Sequence, residues 1–237
     1  MHRFAAILCL NILGVLLFFS WYLPANHGFW FTLDSSIFMY FNHLMVRSHA
    51  FAILLAITNY RAFDLISLLA MGAMYYVYFR RADRRGKYRL ISIGIVMLLS
   101  AVVINQLGHL IPVSHASPTL FFQHDPNVVR IAQLVSIPTK DASSNSFPGD
   151  HGMMLMIFAM YMWRYFGLRA FLGGVLIVVV FSLPRVMIGA HWFTDIAVGS
   201  LSVLLVGLSW WMLTGACDWL IGWLNLHLPG SPEKRAQ

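Results

Sequence analysis

The feature that most constrains this chain is a series of apolar runs, each about as long as a membrane is thick. A helix needs roughly 20 apolar residues to cross the hydrocarbon core of a bilayer. Inside lipid the backbone must satisfy its own hydrogen bonds, which favours helices over open strands. Only 11% of the residues are charged, whereas a soluble domain carries about 25%. The sequence therefore predicts an all-α integral membrane protein.

The apolar runs predict six transmembrane helices within one membrane domain, residues 1–237. The predicted spans cover about residues 4–23, 62–79, 90–111, 151–165, 170–185 and 192–213. Residues 24–61 show an apolar stripe at helical spacing after a helix start predicted at Asp34, which favours one or two helices lying in the interface. Another interfacial helix is predicted around residues 219–224.

The basic residues predict the orientation of these spans. Eleven of the 16 Lys and Arg residues fall on one side of the membrane, and six of them lie within residues 80–89. Such an excess marks the cytoplasmic side, so both termini are predicted to be cytoplasmic. The connections 24–61, 112–149 and 186–191 are then external. Topology and anionic lipids explain the net charge of +7, and no nucleic-acid partner is predicted.

Residues 182–195 place three functional groups between apolar runs: Arg185, His191 and Asp195. His191 and Asp195 are four residues apart and would share one face of a helix. The carboxylate would then hold one ring nitrogen and leave the other for a substrate. Arg185 offers a planar set of donors suited to phosphate. Embedded His and Asp can also simply join helices, but several such groups at one membrane face favour a functional site.

A second polar stretch, residues 146–152, contains His151 and precedes another apolar run. In the predicted topology both stretches reach the external face near helix starts, where backbone N–H groups attract anions. His191 is predicted to attack phosphorus and form a phosphohistidine. His151 is predicted to protonate the leaving group. The residues by themselves thus predict phosphoryl chemistry on a lipid.

Other polar residues allow more than one interpretation. Asn105 and His109, late in the third span, either line the pocket or satisfy one another between helices. Arg61 and Asp64 are three residues apart, which predicts a structural ion pair. Apart from the histidine–aspartate pair described above, no close pair of ligands has the spacing of a zinc site. Neither a metal nor a cofactor is therefore predicted.

The stretch around Arg185 resembles the third motif of the type 2 phosphatidic acid phosphatase family, which reads Ser-Arg, five residues, His, three residues, Asp. Arg185, His191 and Asp195 match its spacing and identities, and Pro184 replaces the Ser. The resemblance implies the six-span fold of that family. It also implies His191 as the nucleophile, Asp195 as the residue that orients it and Arg185 as a clamp for phosphate.

The family's second motif, Pro-Ser-Gly-His, corresponds to residues 148–151, where Gly149 and Asp150 replace the middle pair. This match implies His151 as the general acid, with Gly149 and Asp150 beside the phosphate. The first motif, a Lys followed seven residues later by Arg-Pro, is absent, since residues 105–118 contain neither Lys nor Arg. Which groups replace its cations stays open, and the candidates are Asn105, His109, His115, Arg130 and Lys140.

Within the family, the altered motifs resemble members that transfer a phosphoryl group from undecaprenyl pyrophosphate to the 1-phosphate of lipid A. This resemblance implies a site facing the periplasm at the inner membrane, with lipid A 1-diphosphate and undecaprenyl phosphate as products. The implied partners are a polyprenyl pyrophosphate donor, a phosphorylated glycolipid acceptor and membrane lipids. A phosphatase that hydrolyses undecaprenyl pyrophosphate or another lipid phosphate is one alternative. A non-catalytic lipid-binding or transport protein is another.

The predicted orientation can be checked with topology reporters. Fusions at residue 86, within the basic cluster, and after the C-terminus should both report the cytoplasm, because basic clusters resist translocation. A fusion within residues 112–149 serves as the control and should report the external side. A periplasmic signal at residue 86 or at the C-terminus would reject this topology.

Overall fold

The computed structural model describes residues 2–233, and this part of the chain is helical without any strand. The principal helices are α1 (His2–Tyr22), α2 (Phe29–Arg47), α3 (His49–Thr58), α4 (Phe63–Arg81), α5 (Arg84–His109), α6 (Pro118–Phe121), α7 (Asp150–Phe166), α8 (Leu168–Met187), α9 (Asp195–Leu213) and α10 (Ala216–His227). The predicted all-α fold is confirmed. Lys234 and Arg235, which contribute to the predicted cytoplasmic charge, lie outside the described residues.

Length and composition identify four helices in the described residues that are suited to cross a membrane: α1, α5, α8 and α9. The successive helices α2 and α3 qualify as a fifth span only if they are counted together, and they are bent by 119°. Helices α4 and α7 occupy the predicted second and fourth spans. The chain is a multi-pass membrane protein, and the count of six spans stays a prediction.

The helix start predicted at Asp34 is wrong. Helix α2 begins at Phe29, so Asp34 lies inside the helix, where its side chain is buried. Its carboxylate accepts hydrogen bonds from the backbone N–H and the hydroxyl of Thr194 instead of capping α2. This contact joins α2 to the residues immediately before α9, and therefore helps to place the start of that helix.

Helices α7 and α8 pack closely because small residues meet between them. Gly174 of α8 lies against Ala159 of α7, and a Cβ atom at Gly174 would come within 2.8 Å of the Ala159 Cα. Residues of α5, α7 and α9 complete a buried apolar core, which includes Val96, Ile157 and Leu208. The ends of α7 and α8 are thereby held together, and these ends carry the polar residues of the site.

The close α7–α8 contact predicts a stability difference between two glycine variants. Gly174→Ala should lower the free energy of unfolding by about 1–3 kcal/mol, because the added methyl group forces the helices apart. Gly72→Ala in α4 is the control, since no described atom lies within 4 Å of its added Cβ. Thermal or denaturant unfolding in detergent measures both variants. Equal stability of the two variants would contradict this description of the interface.

Candidate active site

A small polar cavity lies where α7 begins and α8 ends. Its volume is about 60 Å³. The residues that line it are Lys140, Ala142, Ser143, Asn145, Ser146, Pro148, Asp150, His151, Arg185, Ala190 and His191. Three much larger cavities, of about 560–580 Å³, are lined mostly by apolar side chains between helices. The histidines and the arginine that can act on phosphate therefore meet at the small cavity and not at the large ones.

His191 is fixed through one ring nitrogen. Its Nδ1 lies 3.0 Å from the carbonyl oxygen of Ser146 and 3.2 Å from Oδ2 of Asp195. Both neighbours only accept hydrogen bonds, so Nδ1 is assigned as the protonated nitrogen of the neutral ring. The lone pair then belongs to Nε2. His191 also lines the cavity. A nucleophilic histidine requires a free ring-nitrogen lone pair at its substrate, and Nε2 can provide it.

The predicted contact between His191 and Asp195 is confirmed, although it does not arise within one helix. His191 lies in the turn before α9, and Asp195 lies in the first turn of α9. The backbone N–H of Trp192 donates to the same carboxylate at 2.9 Å. His191 and Trp192, both in the turn before α9, contact the same carboxylate oxygen of Asp195. The start of α9 thus fixes the orientation of Asp195.

His115 lies on the far side of Asp195. Its Nδ1 is 3.3 Å from Asp195 Oδ1, and its ring stacks on Trp192. Its backbone carbonyl accepts the N–H of Ser146 at 2.7 Å, which holds the loop that supports His191. Asp195 is fully buried between the two histidines. His115 therefore supports the site from behind and is not among the residues lining the cavity.

Arg185 and His151 meet at a residue that the sequence assigned differently. The side chain of Arg185 is only 5% exposed, and its Nη2 donates to Oδ1 of Asp64. His151 Nε2 lies 3.3 Å from Oδ2 of the same carboxylate. The predicted pair between Arg61 and Asp64 is wrong, because Arg61 lies exposed in the turn before α4 and Asp64 faces α7 and α8. The sequence signal for this role, which the spacing argument overlooked, is a carboxylate within an apolar run.

The backbone of Gly149 is already engaged within the protein. Its N–H donates to the carbonyl of Asp195 at 2.9 Å, and its carbonyl accepts the hydroxyl of Ser200 at 2.7 Å. The amide of Gly149 is therefore not free to bind phosphate in this structure, and the predicted position of this residue beside the phosphate stays a prediction. A Cβ atom at this position would lie 3.1 Å from Cγ1 of Ile196, so the family's Ser would require a small shift of the Ile196 side chain.

Asp150 and His109 form a second polar contact beside the cavity. Asp150 is the first residue of α7, and its Oδ1 lies 3.2 Å from Nε2 of His109 in an ion-pair contact without directed hydrogen-bond geometry. The side-chain oxygen of Asn105 is buried and has no hydrogen-bond partner among residues 2–233. Of these three residues, Asp150 lines the cavity, and the two residues of the third span do not.

The long loop supplies one cation to the cavity and uses another internally. Arg130 forms two hydrogen bonds with Asp141, at 2.6 and 3.1 Å, and these raise the pKa of its guanidinium. Lys140, the neighbour of Asp141, lines the cavity. Of the two loop cations that the sequence left open, Lys140 is the one at the site. The sequence could not distinguish Lys140 from Arg130, because the difference depends on which of the two side chains pairs with Asp141.

A metal site is not formed by the described residues. Within residues 2–233, no group of three or more His, Cys, Asp or Glu side chains is arranged to hold a metal ion. The cations that line the cavity are the side chains of Arg185 and Lys140. Independence from metals and cofactors stays a prediction.

Comparison with known proteins agrees with this geometry. The PAP2 superfamily, whose name abbreviates the type 2 phosphatidic acid phosphatases, matches residues 89–218. Lipid A 1-diphosphate synthase of Escherichia coli (strain K12) is 56% identical over 225 residues, which cover 94% of each chain. No solved structure matches the chain. Since the matched region contains His151, Arg185, His191 and Asp195, the family resemblance is confirmed, and the chain belongs to the PAP2 superfamily.

Proposed function

We propose that this protein is a phosphotransferase that moves a phosphoryl group from undecaprenyl pyrophosphate to the 1-phosphate of lipid A. The observation that carries the chemistry is the fixed ring of His191, which has two acceptors at Nδ1 and borders a cavity with Arg185 and His151. The choice of substrates is supported by 56% identity, over almost the whole chain, to a protein named lipid A 1-diphosphate synthase.

In the first half-reaction, Nε2 of His191 attacks the terminal phosphorus of the pyrophosphate. The bond from that phosphorus to the bridging oxygen breaks, a phosphohistidine forms, and undecaprenyl phosphate leaves. His151 delivers a proton to the bridging oxygen as it departs. The buried carboxylate of Asp195 stabilises the positive charge that develops on the His191 ring.

In the second half-reaction, an oxygen of the lipid A 1-phosphate attacks the phosphorus of the phosphohistidine. The phosphorus–nitrogen bond breaks, His191 is restored, and lipid A 1-diphosphate is the product. A phosphate oxygen already carries negative charge, so this acceptor does not depend on a general base to remove a proton. Water does depend on one, so transfer and hydrolysis place different demands on the site in this half-reaction.

Two cations are proposed to hold the transferred phosphoryl group. Arg185 gives one N–H to Asp64, which leaves its other donors for phosphate oxygens. Lys140 approaches the same cavity from the loop and replaces a cation of the absent first motif. Phosphoryl transfer depends chiefly on such positioning and charge stabilisation. Asp150, which also borders the cavity, lowers its net positive charge and favours exchange of one anionic lipid for another.

The proposed site faces the periplasm at the inner membrane. The positive-inside bias supports this orientation, since the connections that build the cavity are the external ones in the predicted topology. Lipid substrates reach such a site from the membrane, with their reacting phosphates at its surface and their apolar chains in the bilayer. Hydrolysis of undecaprenyl pyrophosphate is the second candidate function, and it uses the same His191, His151 and Arg185.

An acceptor assay distinguishes these two functions. Purified protein receives undecaprenyl pyrophosphate carrying a label in its terminal phosphate, with or without lipid A. We expect labelled lipid A 1-diphosphate and little free phosphate when both lipids are present. His191→Ala should lose nearly all turnover while still inserting in the membrane. Free phosphate released at the same rate with and without lipid A would establish a hydrolase and reject the transferase.

The same assay tests independence from metals. A chelator such as EDTA should leave the transfer rate unchanged, because Arg185 and Lys140 supply the positive charge beside the phosphoryl group. A loss of transfer that one particular divalent ion restores would overturn this part of the mechanism.

Lys140→Ala should lower kcat/KM roughly ten- to a hundredfold, because a charged hydrogen bond to phosphate contributes about 1.5–3 kcal/mol. Lys140→Arg should recover most of this loss. Lys87→Ala is the control, since Lys87 lies at the opposite end of the bundle near Phe79. Steady-state kinetics of all three variants provide the measurement. An unchanged kcat/KM in Lys140→Ala would remove Lys140 from the site.

A further inference from the structure

Asp64 connects two groups of the proposed site without lining the cavity itself. Oδ1 accepts from Nη2 of Arg185, and Oδ2 lies 3.3 Å from Nε2 of His151. Both oxygens of the carboxylate are thus used by residues that do line the cavity. Asp64 belongs to α4, whereas Arg185 and His151 belong to α8 and α7. The carboxylate therefore approaches the site from behind these two side chains.

The contact places a negative charge beside the His151 ring. Oδ2 of Asp64 lies 3.3 Å from Nε2 in an ion-pair contact, and its negative charge stabilises a proton on the ring. The proton on the other nitrogen, Nδ1, is then the one available to the substrate. His191 is held by Asp195 in a comparable way, but through Nδ1, which leaves Nε2 as its reactive atom. The two histidines that line the cavity, His151 and His191, are thus each paired with a carboxylate, but through different ring nitrogens.

Arg185 fixes the position of this carboxylate. The Asp64 side chain is 45% exposed, and by itself it would be free to change rotamer, whereas the Arg185 side chain is almost fully buried. The pairing holds one carboxylate oxygen at Arg185 and directs the other toward His151. It also separates the positive charges of Arg185 and a protonated His151, which would otherwise repel one another.

We propose that Asp64 is a positioning residue that holds His151 as the general acid of the first half-reaction. This inference rests on the proposed phosphoryl-transfer function and adds a third acidic residue to it. In this step His151 Nδ1 gives its proton to the bridging oxygen as the bond to the terminal phosphorus breaks. His151 becomes neutral, Asp64 stays ionised, and the ring regains a proton from water before the next turnover.

The test measures the first half-reaction, because release of undecaprenyl phosphate occurs with either acceptor. Asp64→Asn keeps a side chain of similar shape and removes the charge. Its kcat should fall roughly ten- to a hundredfold, less than the loss expected for the general acid itself, with little change in the donor KM. Asp64→Glu should restore part of kcat. A higher rate in Asp64→Asn would show that Asp64 competes with phosphate and would overturn the proposal.

Asp218→Asn is a matched control. Asp218 is 42% exposed and pairs with Arg164 near the other end of α7, so it resembles Asp64 in exposure and pairing. Burial raises the pKa of Asp218, but hydrogen bonds from Tyr165 and Arg164 outweigh burial and hold it below its usual range, so this carboxylate is charged. Loss of this charge in Asp218→Asn should leave kcat within about twofold of the value for the unmodified protein. An equal loss of kcat in both variants would assign a purely structural role to Asp64.

A double-mutant cycle decides whether Asp64 acts through His151. In a His151→Ala background, Asp64→Asn should lower the rate less than about threefold, because the group it positions is already missing. A full additional loss in that background would overturn the proposal. Release of free phosphate instead of lipid A 1-diphosphate would reject the transferase alone. The effect of Asp64→Asn on undecaprenyl phosphate release would still test the role of Asp64. Absence of any undecaprenyl phosphate release by the unmodified protein would reject both.

Discussion

The buried carboxylate of Asp195 is the interaction on which the site depends. A charge removed from water is strongly destabilising unless several donors surround it. Asp195 receives the backbone N–H of Trp192 and lies within 3.3 Å of Nδ1 of both His115 and His191. These donors come from the loop before α7 and from the start of α9. The hydrogen bonds of this one carboxylate therefore form only when the loop before α7 lies against the start of α9.

The assembly draws on elements that are distant in the sequence. The loop between α5 and α7 reaches His191 through the Ser146 carbonyl, while the hydroxyl of Thr119 in α6 donates to the Asp141 carbonyl and its backbone N–H donates to the Gly189 carbonyl. These contacts hold the loop against the end of α8. The loop consequently forms one wall of the cavity, while α7 and α8 form the other. A long connection with such contacts is a functional element of the fold and not a simple linker.

The protein separates its polar chemistry from its apolar surface. The reactive groups surround a cavity of about 60 Å³, large enough for little more than a phosphoryl group, whereas apolar side chains line the larger spaces between helices. This division suits the proposed substrates, because the reacting atoms of both lipids are phosphates and their remaining bulk belongs in the bilayer. In the proposed mechanism, catalysis depends on charges gathered at helix ends, where Arg185 and His151 meet.

The sequence by itself determined the helical membrane fold and the contact between His191 and Asp195, because hydropathy and short spacings encode local structure. Only the tertiary structure placed Asp64 against Arg185, 121 residues away, and Lys140 at the cavity while Arg130 pairs with Asp141. Local spacing favoured Arg61 for Asp64, yet the packing of α4 against α8 brought a different arginine to it. Which helix ends meet is decided by side-chain packing between distant segments, and no local pattern in the sequence records that packing.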